Sequence, residues 1–334
     1  MRSVRVCVLA VTALALTACS SVVGGQKSGD SKGLVVYTSS GPEVTAPIVK
    51  AFEKAHPDIK VTLTAISGTG PLMSRIQGEK ANPLGDVAWG GSIENYKAVA
   101  GKGIWAPAEL GQDKHMVATD PKHQWHATDL LYQAIAVNTD RVKNPADYPK
   151  TMKDLADPKW KKEGGIGFAN PRSSGTGYSV LAAMVSKYGW DYVDRFLPNA
   201  KVTDSSDAMF KGVRNGEFPV AFINEDLGNA WVKAKAPLKL VYPTDVVSNQ
   251  IGAAAVIKDA PHTANAKTFV DYLMSAKGQQ VMSDAVGRRS ARTDLPAPSG
   301  LAEGKSLHLA KSPEEFVSEQ PKVLDTFDAA SGAK

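Results

Sequence analysis

Residues 169–178 read Ala169-Asn170-Pro171-Arg172-Ser173-Ser174-Gly175-Thr176-Gly177-Tyr178, between an apolar run that predicts a strand and an apolar-striped run that predicts a helix. Its hydroxyl side chains, glycines and arginine lie where the first backbone N–H groups of that helix lack intrahelical partners and carry the positive end of its dipole. Such a turn suits a bound anion. The same residue types are favoured as ordinary helix caps, so both interpretations are open at this point.

The same strand–turn–helix pattern occurs three times earlier in the chain. Short apolar runs end at Ser39-Ser40, Gly68-Thr69 and Gly91-Ser92, and apolar residues at helical spacing follow each of them. The first of these helices is expected to begin after a cap near Thr45, which places Pro47 in its first turn. Successive units of this kind predict right-handed crossovers and a parallel sheet. Because ligands collect outside the carboxyl ends of strands in such sheets, the sequence predicts a binding edge.

A second block follows an extended segment at residues 129–138 and repeats this organisation around residues 166–223. Residues 241–251 predict an extended return to the first block, and residues 252–257 predict a buried strand. Two crossings between two sheets predict a hinge. We therefore expect an α/β protein with two lobes, each a mixed, mainly parallel sheet flanked by helices. Lobe 1 would comprise residues 33–138 plus 248–334, and lobe 2 residues 139–247.

The N-terminus has the features of a secretory signal. A basic start precedes an apolar run from Val6 to Ala15, which is shorter than the roughly 20 residues of a membrane span. Leu16-Thr17-Ala18-Cys19 resembles a bacterial lipobox. We expect residues 1–18 to be a lipoprotein signal peptide, Cys19 to carry a lipid such as palmitate, and residues 19–32 to form a flexible tether. The protein would then be lipid-anchored at the cell envelope, facing the periplasm or the cell exterior.

Composition excludes several classes of protein. The formal net charge of +5 falls to +3 without Arg2 and Arg5, since 5 − 2 = 3, which is too mild to indicate a nucleic-acid partner. Cys7 lies in the signal and Cys19 would be acylated, which leaves no thiol for a disulfide or a thiolate metal site. The histidines show no paired ligand spacing. We expect a monomer without a cofactor.

The combination resembles the iron(III)- and organophosphate-type branch of bacterial ABC-transporter substrate-binding proteins, a type II-like periplasmic-binding-protein class. The resemblance covers nearly all of the mature chain. It is carried by Leu34-Val35-Val36-Tyr37-Thr38-Ser39-Ser40, Ala51-Phe52-Glu53-Lys54, Asp86-Val87-Ala88-Trp89-Gly90-Gly91-Ser92, Ser173-Ser174-Gly175-Thr176-Gly177 and Phe269-Val270-Asp271-Tyr272-Leu273-Met274-Ser275. It implies a protein that is not an enzyme, that closes two lobes around a solute and that delivers the solute to permease and ATPase subunits on other chains.

The resemblance leaves two kinds of ligand open. Iron-binding members hold Fe(III) largely through a pair of tyrosines after a lobe-2 strand, where this chain has Asn224-Glu225-Asp226. Their histidine after the first strand is replaced by Gly41-Pro42-Glu43. For this alternative, Glu43, Glu225 and Asp226 would be the oxygen ligands.

The pattern better suits relatives that bind phosphonates or phosphorylated small molecules. The implied ligand-binding residues are Ser39, Ser40, Gly68, Thr69, Gly91, Ser92, Tyr132, Ser173, Ser174, Gly175, Thr176, Asn224, Glu225 and Asp226. Serine and threonine hydroxyls of both lobes would bind the phosphoryl oxygens, and Glu225 and Asp226 would pair with an amine or with sugar hydroxyls. The alternative for these two carboxylates is capping of their own helix. Arg288-Arg289 is interpreted as an exposed basic pair, with a counter-charge in the cleft as the alternative.

Two other classes of protein compete with this interpretation. A secreted lipoprotein hydrolase would use Ser174 as its nucleophile, but Arg172 stands where a Gly-x-Ser-x-Gly elbow requires glycine. The second class is a surface adhesion or scaffold protein, whose function does not require turns rich in hydrogen-bond donors. The sequence therefore favours a solute-binding protein for a small anion.

Overall fold

Nine strands form one mixed sheet in the computed structural model, which describes residues 32–332 of the 334-residue chain. In chain order they are β1 (Gly33–Thr38), β2 (Lys60–Ala65), β3 (Val87–Ser92), β4 (His126–Asn138), β5 (Ile166–Ala169), β6 (Ala200–Thr203), β7 (Val220–Asn224), β8 (Leu238–Val241) and β9 (Ser248–Val256). The order across the sheet is β2-β1-β3-β9-β4-β7-β5-β6, and β8 pairs with β4 beside this path. The expected signal peptide, Cys19 and most of the tether lie outside the described residues.

Twelve α-helices accompany the strands in the described part of the chain. They are α1 (Pro42–Ala55), α2 (Thr69–Gly78), α3 (Ile93–Ala100), α4 (Lys159–Lys162), α5 (Gly175–Tyr188), α6 (Trp190–Phe196), α7 (Ser206–Arg214), α8 (Glu225–Lys233), α9 (Thr263–Met274), α10 (Ala276–Val286), α11 (Glu315–Ser318) and α12 (Gln320–Ser331). Short 3-10 helices occur at Asp113–His115, Pro145–Asp147, Lys153–Ala156, Leu197–Asn199 and Gly304–Ser306. No helix between residues 32 and 332 combines the length and apolarity needed to cross a bilayer.

Each half of the sheet contains parallel strands. β1 pairs in parallel with β2 and β3, and β5 pairs in parallel with β6 and β7. A helix after each strand of these units returns the chain to the same edge, so the carboxyl ends of β1, β2 and β3 lie together. β4 and β9 run antiparallel to their neighbours. This mixed α/β architecture confirms the fold class expected from the sequence.

β4 and β9 connect the two halves of the sheet. The first part of β4 pairs with β9, from His126 opposite Ala254 to Gln133 opposite Ser248. The last part of β4 pairs with β7 and β8, through Asn138. The predicted crossings near residues 138 and 248 therefore fall at the end of β4 and the start of β9. The division of the chain into two lobes at these positions stays a prediction.

Separate hydrophobic cores lie in the two halves. One contains Phe52 and Phe269, whose ring centroids are 4.9 Å apart. The other contains Phe168 in β5, and it also includes the end of the chain. Phe327 lies 5.9 Å from Phe168 between ring centroids, and Phe316 lies 5.2 Å from Tyr178. The C-terminal helices α11 and α12 thus pack on the second core, although the sequence assigned residues 248–334 to lobe 1, because their aromatic rings fill that core.

Three local expectations differ from the structure. α1 begins at Pro42, in its preferred first helical position, so Pro47 lies inside the helix and costs it one hydrogen bond. β9 is one continuous strand where the sequence predicted an extended segment and a separate strand. β6 and β8 were not predicted, since each has only four residues and neither is apolar throughout.

Candidate functional site

The N-termini of α2 and α5 meet at the carboxyl ends of the strands. A β-carbon at Gly68 would lie 2.6 Å from the carbonyl oxygen of Ser173, and one at Gly70 would lie 2.7 Å from that of Arg172. These distances are closer than carbon and oxygen allow, so glycine is required for the two turns to touch. Gly68 also has a positive φ of 98°, which favours glycine. Two positive helix ends are thereby brought to one place.

Unpaired donors surround this contact. α5 begins at Gly175, and the N–H groups of Gly175 and Thr176 have no acceptor among the described residues. A β-carbon at Gly175 would lie 3.4 Å from Oγ1 of Thr69, and one at Gly90 would lie 2.7 Å and 3.2 Å from the hydroxyls of Ser39 and Ser40. We call these five residues, Ser39, Ser40, Thr69, Gly175 and Thr176, the strand-end site. Its composition suits an anion with several oxygens.

A chain of polar side chains leads from the strand-end site into the sheet. The Thr176 hydroxyl donates to Oδ1 of Asn224 over 3.3 Å, and Nε2 of Gln133 donates to the same oxygen over 3.2 Å. Oε1 of Gln133 accepts from the Ser248 hydroxyl over 2.7 Å. Asn224, a predicted ligand contact, therefore lies beside the strand-end site, and its amide oxygen already accepts hydrogen bonds from Thr176 and Gln133.

Other predicted contacts are used within the protein. The Ser174 hydroxyl accepts from the N–H of Gly177 and also pairs with Ser206, which makes Ser174 an ordinary helix cap. The Ser173 hydroxyl donates to backbone carbonyls, and Ser92 is buried in a cap with Asn95. A nucleophilic role for Ser174 lacks a partner base, because Gly177 and Ser206 are the hydrogen-bond partners of its hydroxyl among the described residues.

Gly91 and Arg172 differ in their position relative to the strand-end site. A β-carbon at Gly91 would lie 2.9 Å from Oγ1 of Thr69, so Gly91 lines the strand-end site. Arg172 points away to α12, where it forms ion pairs with Asp325 over 2.8 Å and with Asp328 over 2.5 Å. The arginine of the motif therefore does not contribute its charge to the site.

Glu225 and Asp226 belong to a separate buried group, the arginine–carboxylate cluster, which also contains Asp129, Arg288 and Arg289. Arg288 pairs with Asp226 and, over 2.8 Å, with Asp129. Arg289 binds both carboxylate oxygens of Glu225. The interpretation of the arginines as an exposed pair is wrong, because Arg289 is buried and the Arg288 side chain is only 11% exposed, and both are paired with these carboxylates.

Burial and the opposite charges within the arginine–carboxylate cluster shift the pKa values of its side chains. Burial raises the pKa of Glu225, although hydrogen bonds from Arg289 and from the hydroxyl of Tyr242 oppose this. Burial also acts against the charge of Arg288, but the charges of Asp226 and Asp129 outweigh it and raise the Arg288 pKa. Tyr132, a predicted ligand contact, instead places its ring 4.6 Å from the Arg289 guanidinium. These side chains have partners before any ligand binds.

The residues proposed for the iron alternative do not come together as a metal site. No group of three or more histidine, cysteine or acidic side chains between residues 32 and 332 is arranged to hold a metal ion. Glu43 is exposed, whereas Glu225 and Asp226 are buried with arginines. In the described part of the chain, these three carboxylates therefore do not form a common site for a cation.

The sequence-based prediction missed several polar residues near the site, chiefly Gln133, Ser248 and Gln250. All three are buried. The signal was present in β9, where Ser248 and Gln250 lie on one face of the strand and, after Asn249 and Gln250, the strand continues with apolar or small residues. Polar side chains on the buried face of a central strand need partners. Here Ser248 and Gln133 pair with each other, and Gln133 also pairs with Asn224, which accepts from Thr176 of the strand-end site.

Comparisons with known proteins identify relatives over most of the chain. A family model described as bacterial extracellular solute-binding protein matches residues 34–285. An uncharacterised protein of Haemophilus influenzae is 31% identical over 284 residues, covering 80% of each chain. The major ferric iron-binding protein of Neisseria meningitidis is 24% identical over 265 residues, covering 75% of this chain and 78% of that one.

Solved structures give the same architecture. The periplasmic binding protein AfuA of Actinobacillus pleuropneumoniae, with fructose-6-phosphate bound, has a TM-score of 0.84 at 25% identity, over 91% of this chain and 100% of that one. Iron-bound HitA of Pseudomonas aeruginosa has a TM-score of 0.78 at 24% identity, over 89% of this chain and 99% of that one. Both are similar in fold to this chain, but one contains fructose-6-phosphate and the other iron.

Proposed function

Since this chain belongs to the family of bacterial extracellular solute-binding proteins, as a type II periplasmic binding protein of ABC importers, we propose that its solute is an organophosphate or a phosphonate. Proteins of this family bind solutes for permease and ATPase partners and are not enzymes. The proposed solute would lie at the strand-end site, with its phosphoryl group against the N-terminus of α5.

One observation supports this proposal above the others. Among the described residues, the N–H groups of Gly175 and Thr176 have no acceptor, and a β-carbon at Gly175 would lie 3.4 Å from the hydroxyl of Thr69. The hydroxyls of Ser39 and Ser40 lie beside Gly90, at the carboxyl end of the neighbouring strand β3. A helix N-terminus carries roughly half a positive charge, and a second one, that of α2, adjoins it. A phosphoryl group has three acceptor oxygens and negative charge, so it matches both the donors and the field. AfuA, named with fructose-6-phosphate bound, is consistent with this class.

The proposed mechanism is an equilibrium between open and closed arrangements of the two lobes. A ligand that binds donors of both lobes has a higher affinity for the closed form and therefore favours closure. Closure excludes water, which strengthens each charge-assisted hydrogen bond. The closed, liganded form would be the one that the permease recognises. Small-angle scattering of the wild type should show a smaller radius of gyration with a bound ligand, and an unchanged radius at saturation contradicts this mechanism.

Attachment through Cys19 is a further part of the proposal. The lipobox-like Leu16-Thr17-Ala18-Cys19 supports lipidation of Cys19, with residues 19–32 as the tether. In the native host, Cys19→Ala should release the protein from the membrane fraction. Membrane association that is unchanged in Cys19→Ala contradicts the anchor.

A thermal-shift panel tests the ligand class. The panel contains inorganic phosphate, 2-aminoethylphosphonate, fructose 6-phosphate, and Fe(III) with and without carbonate or phosphate. We expect an organophosphate or phosphonate to raise the melting temperature, because a ligand that binds only the folded state stabilises it by mass action. A shift with Fe(III) alone, together with a coloured protein, would establish the iron alternative that the ferric-binding relatives suggest.

A further inference from the structure

Gln250 lies beside the strand-end site, and its buried amide oxygen lacks a hydrogen-bond partner among the described residues. It pairs in β9 with Leu131 of β4, and its side chain reaches the N-terminus of α5. A β-carbon at Gly175 would lie 3.4 Å from Nε2 and 3.5 Å from Oε1 of Gln250. The residue is only 5% exposed, and Oε1 has no hydrogen-bond partner in the described chain.

The neighbours of Gln250 on the same face of the sheet are all paired. Ser248 lies two residues earlier and donates to Gln133, which in turn donates to Asn224. None of the hydrogen bonds described between residues 32 and 332 uses the amide nitrogen of Gln250 either. A buried polar group without a partner is costly, so this one amide stands out as a group that a ligand would satisfy.

The amide has definite requirements. Its NH₂ group donates, and its carbonyl oxygen accepts. A deprotonated phosphoryl oxygen serves only the NH₂ group and repels the carbonyl oxygen. A hydroxyl serves both groups, because it donates to one and accepts from the other. Rotation of the amide by half a turn exchanges the two atoms and leaves this requirement unchanged.

An amine-bearing solute suits the surroundings less well. An ammonium group would donate to Oε1 but accept nothing from Nε2. The carboxylates that the sequence assigned to such an amine, Glu225 and Asp226, are already paired with Arg289 and Arg288. Neither carboxylate is therefore free to pair with an amine of the ligand.

We propose that Gln250 determines the ligand specificity of this site. It selects phosphate compounds that carry a hydroxyl group on the same carbon chain as the phosphate, such as polyol or sugar phosphates. Phosphate compounds without a hydroxyl group bind more weakly. The inference rests on the proposed function, since it assumes that the phosphoryl group binds at the N-terminus of α5. In this proposal Gln250 binds a hydroxyl group of the solute beside the phosphoryl group, and this requirement defines the substrate class more narrowly.

Titration calorimetry of the full chain with Gln250→Leu tests the inference. The probes are fructose 6-phosphate, which has hydroxyls, and propyl phosphate, which has none. We expect the variant to bind fructose 6-phosphate about tenfold more weakly, as for a lost buried hydrogen-bond pair, and propyl phosphate within about twofold of the wild type.

Gln133→Leu is the matched control, since it removes a buried amide from the adjacent strand that already has partners. Without ligand, we expect Gln133→Leu to lower the melting temperature, because Ser248 loses its acceptor and Asn224 loses one of its two donors. Gln250→Leu should leave the melting temperature unchanged or raise it. A lower melting temperature for ligand-free Gln250→Leu would assign the residue a structural role and overturn the inference.

The titrations separate the two proposals. Equal weakening for both probes, or a wild type that binds propyl phosphate or 2-aminoethylphosphonate as tightly as fructose 6-phosphate, overturns the role of Gln250 and leaves the proposed function intact. A wild type that binds no phosphate or phosphonate compound overturns the proposed function and the inference together.

Discussion

Arg289 and Glu225 form a buried pair that the fold depends on. The Arg289 guanidinium donates to both oxygens of Glu225, and the two side chains are 5% and 2% exposed. Breaking a buried pair by removing one partner leaves an uncompensated charge, which costs about 3–5 kcal/mol. We therefore expect Arg289→Met to lower the free energy of unfolding by about this amount in urea denaturation at pH 7.

The pH dependence of Arg289→Met provides an internal control. Burial already raises the pKa of Glu225, and loss of the guanidinium raises it further. A carboxyl whose pKa is raised in the folded state does not destabilise the protein at a pH below its unfolded-state pKa. The loss of unfolding free energy grows as pH rises from that value towards the folded-state pKa. The deficit should therefore shrink between pH 7 and pH ~4. The double variant Arg289→Met with Glu225→Gln should lose less than the single one, and a single-variant loss under about 1 kcal/mol at pH 7 contradicts the account.

At the level of single residues, sequence patterns predicted hydroxyls and glycines at the strand ends but not their partners. Thr69, Gly175 and Thr176 come together as expected, because the carboxyl ends of neighbouring strands meet at one edge. Glu225 was assigned to the ligand, since nothing in the chain between it and Arg289 indicates that the two meet. Such long-range pairs depend on how the β4–β9 region packs, which no local pattern encodes.

The position of α5 against β5 depends on Gly177. A β-carbon at Gly177 would overlap the backbone carbonyl of Ala169, which has no side-chain freedom to move away. Overpacking of this kind costs about 1–3 kcal/mol. We expect Gly177→Ala to lower the free energy of unfolding by at least this amount, measured by chemical denaturation.

Gly78 provides a matched control for Gly177. It is the last residue of α2, and a β-carbon there would meet nothing within 4 Å. Gly78→Ala should be neutral or stabilising by up to about 1 kcal/mol, because alanine loses less backbone entropy in a helix. Equal effects of the two substitutions would contradict the close approach of α5 to β5.

Element prediction succeeded where a pattern was repeated and failed where an element was short. The units β1–α1, β2–α2 and β5–α5 were predicted from apolar runs, turn residues and helical spacing. β6 is only four residues long, Ala200–Thr203, with two exposed positions at its centre, so it has no buried pattern to detect. α12 was missed as a partner of the second core for a different reason. Its amphipathic pattern indicates a buried face but not which core covers it.

At the scale of the whole molecule, donors from chain segments that are far apart in sequence lie side by side at the strand-end site. Gly175 occupies the centre of this arrangement, since it adjoins Thr69 on one side and Gln250 on the other. Its missing β-carbon leaves room for an anion to approach the N–H groups of α5. An added methyl would have ordinary contacts with the protein, at 3.4 Å or more, but would occupy that room.

The two-lobed architecture was predictable from the sequence, because strand–turn–helix units on either side of two crossings define it. The solute was not, since hydroxyls, glycines and helix N-termini bind many anions with similar geometry. Relatives named for ferric iron and for fructose-6-phosphate have this same fold. The choice of solute is narrowed by polar groups that have no hydrogen-bond partner in the described part of the folded chain, such as the amide oxygen of Gln250.

Calorimetric titration of the wild type and of Gly175→Ala, with the phosphate or phosphonate compound that gives the largest thermal shift, tests the central claim most directly. The account predicts one bound ligand per wild-type chain, and at least about tenfold weaker binding to Gly175→Ala, with no loss of melting temperature in the ligand-free variant. Equal affinities of the two proteins, or no binding of any phosphate compound alongside tight binding of Fe(III), would contradict it.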